Sequence, residues 1–438
     1  MFGVVSVFRE ISDCGHKVLI MAKNAAFQKK ALPVLILGVF MMYFYSGLQA
    51  DHLNVLTPYY QKLGWLTTTI TNPVTWAGFV VIPATLLVGT LLIKFGVTRV
   101  VVPALVIVGA STLGLSFAGE NLILYSISLF CMRLFILPLQ MGTFMLCTNW
   151  FMKTRGRALG IVVMGSPLNT ATFIALLTIG VNTIGLPATY KIVGIVILVL
   201  ALLVGLLVKS APEAVGMYPD GAAEAPEKDE EEAKLSFKEV FSSLDAWMLV
   251  FSLGLYQFVI CCIMPFFVVR MNMTGSTPPL FLAFLSAAAI GGIFSSNFFG
   301  FLDDKFGTVK ASLALGVAYL CAICGLLFMT KDNIPLLVVT AIGIAGMSGG
   351  TGTLHPSITT YVYGRKLYQA ANRWIMTVQS IIMAFAIYFM SAIMDKTGSL
   401  ALAYEIMIIL IVIAFVCLFV IGRKPDYDRS RAEQSAAA

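Results

Sequence analysis

The chain has 438 residues, of which 59% are hydrophobic and only 12% charged. That balance excludes an ordinary soluble domain, where about a quarter of residues are charged, and it excludes a disordered chain, which lacks so much apolar surface. The formal charge of +7 does not point to nucleic acid, because the cations fall in short turns between apolar stretches and leave no basic stripe.

Residues 1–30 form a cytoplasmic N-terminal segment in this reading. Arg9, Glu10, Asp13 and Lys17 interrupt it too often for a signal peptide, and no small-residue cleavage site follows. Val4, Val5, Phe8, Ile11 and Val18 either form the apolar side of a short surface helix or belong to a partly disordered tail. Six apolar stretches follow at 32–56, 72–93, 100–118, 122–149, 157–180 and 189–208, a first bundle over 31–208. A polar linker, 209–243, begins with an ordered turn around Pro212, Gly216 and Pro219 and continues into the acidic, flexible run 224–232. Six more stretches, 246–270, 279–302, 311–330, 334–361, 373–394 and 399–421, make a second bundle over 244–421, with a cytoplasmic tail at 422–438.

Each stretch has about the 20 residues a bilayer crossing needs. Backbone groups in hydrocarbon must pair within their own segment, so the stretches are helices. The apolar–polar alternation of a membrane strand is absent from runs such as 192–208. Lysines and arginines divide about 23 to 5 between the two sides, with Arg133 left inside a helix. The richer side is cytoplasmic and holds both termini, and the expected location is the plasma membrane. The fold class expected is therefore an all-α membrane protein with twelve transmembrane helices.

The eight cysteines lie nearly all within these stretches, and Cys321 with Cys324 forms a Cys-x-x-Cys. Inside an apolar helix, with no cation or histidine to activate a thiol, the pair reads as small packing side chains. His16, His52 and His355 share no metal-ligand spacing. Neither a phosphate-cradling Gly-x-x-x-x-Gly-Lys loop nor a Ser/His/Asp set is present. The reading is thus of a protein that is not an enzyme and uses no cofactor.

One internal repeat stands out. After the eighth stretch come Gly300, Asp304, Lys305, Phe306, Gly307 and Lys310; after the second, at an offset of 211 residues, come Gly89, Ile93, Lys94, Phe95, Gly96 and Arg99. A match in the same loop of each half indicates duplicated six-helix units. The loop resembles the cytoplasmic signature of the major facilitator superfamily, although Ile93 stands where the first copy should carry its acid. The resemblance implies two pseudo-symmetric six-helix bundles, with Gly300, Asp304, Lys305, Gly307 and Lys310 as a cytoplasmic gate. It also implies a cavity lined by the first, fourth, seventh and tenth helices. Asn149, Trp150, Phe151, Arg155, Gly156 and Arg157, then Gly349, Gly350, His355, Pro356, Tyr363, Gly364 and Arg365, with Gly216 and Pro219-Asp220-Gly221, are similar to the oxalate:formate antiporter and monocarboxylate transporter group. The eighth stretch lacks the cation that oxalate carriers of that group place there, and the eleventh has only Arg373 at its mouth. A monoanion fits these residues better than oxalate.

A charge near the bilayer centre costs about 2.5–3.5 kcal/mol, so such residues mark a cavity or a partner. Asp51, His52, Arg133, His355, Arg373 and Glu405 are the set. Arg133 could grip a carboxylate through its guanidinium fork, or, as the resemblance implies, serve as a structural or proton-relay arginine that pairs with a neighbouring helix. Asp51 and His52 are proton-coupling candidates or headgroup-level residues that meet water. His355, beside Pro356, is a substrate donor or a packing histidine. Gln140, Gln257, Asn297 and Gln379 are uncharged substrate-binding candidates, and Asn169 belongs with them; ordinary interhelical hydrogen bonding is the alternative for each. Arg373 reads as a positive-inside anchor, and Glu405 as a snorkelling residue or an ion-pair partner of Lys396.

The expected activity is secondary active transport of small organic anions, monocarboxylates above all, by proton symport or anion exchange. The expected partners are an anionic solute, H+ and the lipid bilayer, with the chain a monomer and no nucleic acid involved. The rivals are a proton-coupled exporter of lipophilic compounds and, more remotely, a membrane sensor that does not transport.

Overall fold

The computed structural model describes residues 25–151, 155–222 and 235–422, and among them every regular element is helical. The surface helix proposed near the N-terminus, the acidic run 224–232 and the tail beyond 422 lie outside the described residues.

Twelve helices are long and apolar enough to cross a membrane: Phe27–Gln61, Thr67–Phe95, Val97–Ala118, Leu122–Trp150, Ala158–Ile184, Leu186–Leu207, Leu244–Met273, Pro278–Phe306, Thr308–Leu327, Ile334–Tyr363, Ala370–Thr397 and Ala401–Gly422. These are spans 1 to 12. The shortest has 20 residues, about 30 Å at 1.5 Å per residue, which matches the hydrocarbon thickness. Their outward sides are as apolar as their packed sides: Leu86, Leu206, Phe294 and Val416 are all more than half exposed. Lipid rather than water is the solvent that tolerates such a surface.

Span boundaries differ from expectation mainly around the first turn. Span 1 continues to Gln61 and span 2 begins at Thr67, because the Thr- and Asn-rich flanks stay helical where their hydropathy has already dropped. Helical structure also runs unbroken from Ile334 to Ala384, through the junction of spans 10 and 11.

The repeat appears as a shared backbone geometry. Spans 2 and 8 each have 29 residues and each ends on a Phe followed by Gly. Gly96 adopts φ 82°, ψ 156° and Gly307 adopts φ 88°, ψ 153°. That region is accessible only to glycine, so one residue type in each copy sets the turn into the next span.

The chain separates into two compact units, Met1–Val55 with Asn72–Asp229, and Leu56–Thr71 with Glu230–Ala438. In the first unit span 3 packs on spans 4 and 6, and span 1 on span 5. The linker's first half forms two short 3-10 turns, Pro212–Val215 and Pro219–Gly221. Its start is held by the Asn149 Nδ2–H on the Ser210 carbonyl (2.9 Å) and the Trp150 Nε1–H on the Lys209 carbonyl (2.9 Å). In the second unit, span 12 packs on spans 7 and 9, and Tyr256 and Tyr319 stack in the interior at 4.8 Å. Their hydroxyls are satisfied by the Ser312 carbonyl (3.0 Å) and the Thr351 hydroxyl (2.8 Å), as buried tyrosines require. The linker's far end is held here by the Trp374 Nε1–H on the Leu235 carbonyl, 2.8 Å.

Candidate functional site

Three helices of the first unit are interrupted, and the polar residues sit at the interruptions. Span 1 is α-helical over Ala25–Ser46, switches to a π-turn over Gly47–Asp51, and resumes at Leu53–Gln61. The His52 N–H bonds back five residues to the Gly47 carbonyl, 3.1 Å, which is the signature of one extra residue in the turn. Pro58, in the resumed helix, has no N–H to bond four residues back. Span 4 is divided at Ile136, with Pro138 in the first turn of the following helix, and Arg133 lies in the last turn before the break. Span 5 is divided at Met164. Discontinuous helices are where carriers expose backbone and polar groups at membrane depth.

Spans 4 and 5 both pack on the π-turn. Gly47 is required there, since a Cβ would run into the amide of Asn169 and lie 2.6 Å from the ring of Phe173. Further polar pairs seam spans 1 and 5: Ser46 with Ser166 and Tyr43 with Thr172, both at 2.9 Å. His52 is fully buried, and its Nδ1 is 3.3 Å from the Gly47 carbonyl. A carbonyl only accepts, so Nδ1 carries the proton and Nε2 presents a lone pair. That Nε2, like both amide atoms of buried Asn169, has no partner among the described residues. Such groups are costly unless something polar meets them. Arg133, half-buried, stands in the part of span 4 that packs on the π-turn, and Asp51 is buried in that turn. Gln140, seven residues beyond Arg133 in span 4, is half-buried.

Spans 1, 5 and 6 also line an open apolar groove of about 280 Å³, bordered among others by Tyr43, Phe44, Phe173, Leu177, Ile192 and Val196.

In the second unit, His355 and Gln379 meet. His355 Nε2 lies 2.9 Å from Gln379 Oε1, and the other end of the Gln379 amide donates to the Leu249 carbonyl at 3.4 Å. Both side chains are buried, and the pair ties spans 7, 10 and 11 together. Gln257 is half-buried in span 7. Asn297 is exposed and donates to its own helix at the Ile293 carbonyl, 3.4 Å. Arg373 is exposed with its guanidinium over the Trp374 ring, 4.9 Å, and Glu405 is exposed in span 12. In the loop after span 8, Asp304 is exposed and Lys305 lies over the rings of Phe301 and Phe306, each at 5.4 Å, beside Gly300, Gly307 and Lys310.

Asn169 is the residue whose position sequence reasoning undervalued. Its type alone made it one polar residue among several, and only the packing of span 5 on the π-turn singles it out. No group of three or more His, Cys, Asp or Glu among the described residues could hold a metal ion.

The likenesses to known proteins agree with this architecture. Among solved structures the chain is similar to a bacterial homologue of the human lysosomal transporter Spinster. The TM-score is 0.65 against its inward-facing unoccupied form and 0.59 against the occupied form, at 14% and 15% identity. Each alignment covers 89% of this chain and 96% of that one, and at such identity the likeness is one of fold. The MFS-type transporter pynF of Aspergillus niger is 25% identical over 317 residues, 66% of this chain and 65% of that protein. The Major Facilitator Superfamily profile matches residues 35–373. With twelve spans, a duplicated loop geometry and that match over most of its length, the chain belongs to the major facilitator superfamily.

Proposed function

We propose that the protein is a secondary carrier of small organic anions, monocarboxylates first, working by alternating access with a proton or a counter-anion. The observation that carries this reading is the first unit's interrupted-helix cluster. There span 4, with Arg133 in its last turn before the break, packs on the π-turn whose buried Asp51 is followed by buried His52, and the His52 Nε2 is unpartnered among the described residues. A carboxylate entering there gains a charge-assisted contact from Arg133. Asp51 and His52 are the groups able to exchange a proton as it passes. His355 and Gln379 support the second unit's side as a fixed pair, while Gln257 and Asn297 remain available to solute.

The test is uptake of labelled monocarboxylates into liposomes holding the purified protein, with and without an imposed pH gradient. Loss of a charged hydrogen bond is worth about 1.5–3 kcal/mol, so Arg133→Gln should raise the half-saturating concentration about tenfold or more, and Arg133→Lys less. Carboxylate flux indifferent to Arg133→Gln overturns the reading.

A second reading, export of lipophilic compounds with Asp51 as the exchanging acid, is favoured by the open apolar groove along spans 1, 5 and 6. It predicts proton-driven dye extrusion that survives Arg133→Gln and is lost in Asp51→Asn.

A further inference from the structure

The second unit carries a continuous run of aromatic rings at its linker end. Ser236 caps the short helix Phe237–Phe241, and Glu239 reaches back to the Ser236 N–H, a capping box that fixes where the helix begins. Three side chains from the spans hold this segment by its carbonyls. The Trp374 Nε1–H donates to Leu235 at 2.8 Å, the Tyr363 hydroxyl to Val240 at 3.3 Å, and the Trp247 Nε1–H to Phe241 at 3.2 Å. Between ring centroids, Phe237 lies 4.5 Å from Phe241 and 5.7 Å from Trp374. The run continues from Phe241 to Trp247 at 5.0 Å and from Trp247 to Phe251 at 6.4 Å. All of these residues belong to one unit.

The run is also exposed. Phe237 is 48% exposed, Trp247 38% and Phe251 42%, with Leu244 among them at 59%. Both indole N–H groups are already occupied by carbonyls, so the patch presents ring and alkyl surface outward. Aromatic residues of this kind gather where hydrocarbon meets headgroups. Two cations stand beside the rings. The Arg373 guanidinium lies over the Trp374 ring at 4.9 Å, and Lys238, exposed, follows Phe237. Among the described residues neither has an acidic partner. The nearby acid, Glu239, is turned to the Ser236 N–H (2.6 Å) and hydroxyl (2.7 Å) instead. Apolar ring surface bordered by unpaired cations complements a lipid with a negative headgroup. A guanidinium fork takes a phosphate bidentately, and each basic residue at a membrane surface adds to the attraction.

We propose that this patch binds an anionic phospholipid of the linker-side leaflet, with its phosphate on Arg373 and Lys238 and its acyl chains along Phe241, Trp247 and Phe251. The site is separate from the Arg133 cluster and does not depend on the carrier reading. To test it, the full chain in dodecyl maltoside micelles is titrated with phosphatidylglycerol or phosphatidylcholine brominated on the acyl chains, and quenching of tryptophan fluorescence is read. Phosphatidylglycerol should reach half of its quenching at a mole fraction about fivefold lower than phosphatidylcholine, or lower still. Arg373→Gln and Lys238→Gln should each raise that mole fraction about fivefold. Lys94→Gln removes another exposed cation that lies over a ring, that of Phe95 at 5.4 Å, and should leave it unchanged. Equal quenching by the two lipids overturns the site, and so does insensitivity to Arg373→Gln or to Lys238→Gln. An equal effect of Lys94→Gln overturns it as well, because the attraction would then be diffuse charge. Displacement of the lipid by millimolar inorganic phosphate also overturns it, because the cations would then take the anion without its chains.

Discussion

Replacing Gly165 by alanine should separate the helices on which the polar cluster depends. A Cβ at Gly165 would press on the Val39 carbonyl and lie 2.9 Å from the Tyr43 nitrogen and 3.0 Å from the Met42 Cβ. The first two are backbone atoms of span 1, so no rotamer change relieves the clash and the spans must move apart. Overpacking of this kind costs about 1–3 kcal/mol. The displacement also loosens the Ser46–Ser166 and Tyr43–Thr172 bonds, each worth about 0.5–1.5 kcal/mol. The gain in helix propensity from Gly to Ala is at most about 1 kcal/mol, leaving a net loss of about 3 kcal/mol. Gly160, on the preceding helix, is the matched control, since a Cβ there meets nothing within 4 Å. Gly160→Ala keeps only the propensity gain, so the two variants should move in opposite directions. Equilibrium unfolding in mixed micelles of dodecyl maltoside and SDS, followed by tryptophan fluorescence, measures both. If Gly165→Ala is as stable as Gly160→Ala, the close crossing of spans 1 and 5 is wrong.

Arg270→Gln should destabilise the second unit by about 2 kcal/mol, because the guanidinium donates to the Leu326 carbonyl (2.8 Å) and the Leu327 carbonyl (2.9 Å) and so caps the end of span 9; exchange at that helix end reports it. Asp332 is held below the usual carboxylate range by the backbone N–H of Thr277 (2.7 Å), then by its hydroxyl (2.8 Å), with Lys331 adding to this. A depressed folded-state pKa means the stabilisation is complete above the ordinary value of about 3.9 and is lost as pH falls through the lower folded value. Thermal unfolding of the parent should therefore weaken as pH drops below about 4, and Asp332→Asn should lose that component while the rest of the acid response remains.

Much of the fold was legible because a bilayer imposes a simple rule: the length of an apolar run and the placement of cations suffice to count crossings. The repeat was legible for a related reason. Gly96 and Gly307 each occupy a backbone conformation closed to other residues, so the glycine itself reports the turn. The site was less legible. Arg133, Asp51 and His52 announced themselves by the cost of placing charge in hydrocarbon, and spans 1 and 4 were expected to line a cavity. Their meeting at a π-turn was not expected, since that turn arises where Gly47 is pressed by Asn169 and Phe173 from another span. His355 and Gln379 stood in the sequence as separate candidates, 24 residues apart, and packing made them one pair.

By itself the sequence determined the number of membrane helices, their duplication and the residue types that hydrocarbon makes expensive, because each follows from local composition and transfer energy. Tertiary structure decided which of those residues meet. Tyr43 and Thr172 lie 129 residues apart in the chain, and no local pattern specifies a bond of 2.9 Å between their hydroxyls. Hydropathy reports depth in the membrane, whereas hydrogen-bond partners depend on which helix faces are brought together.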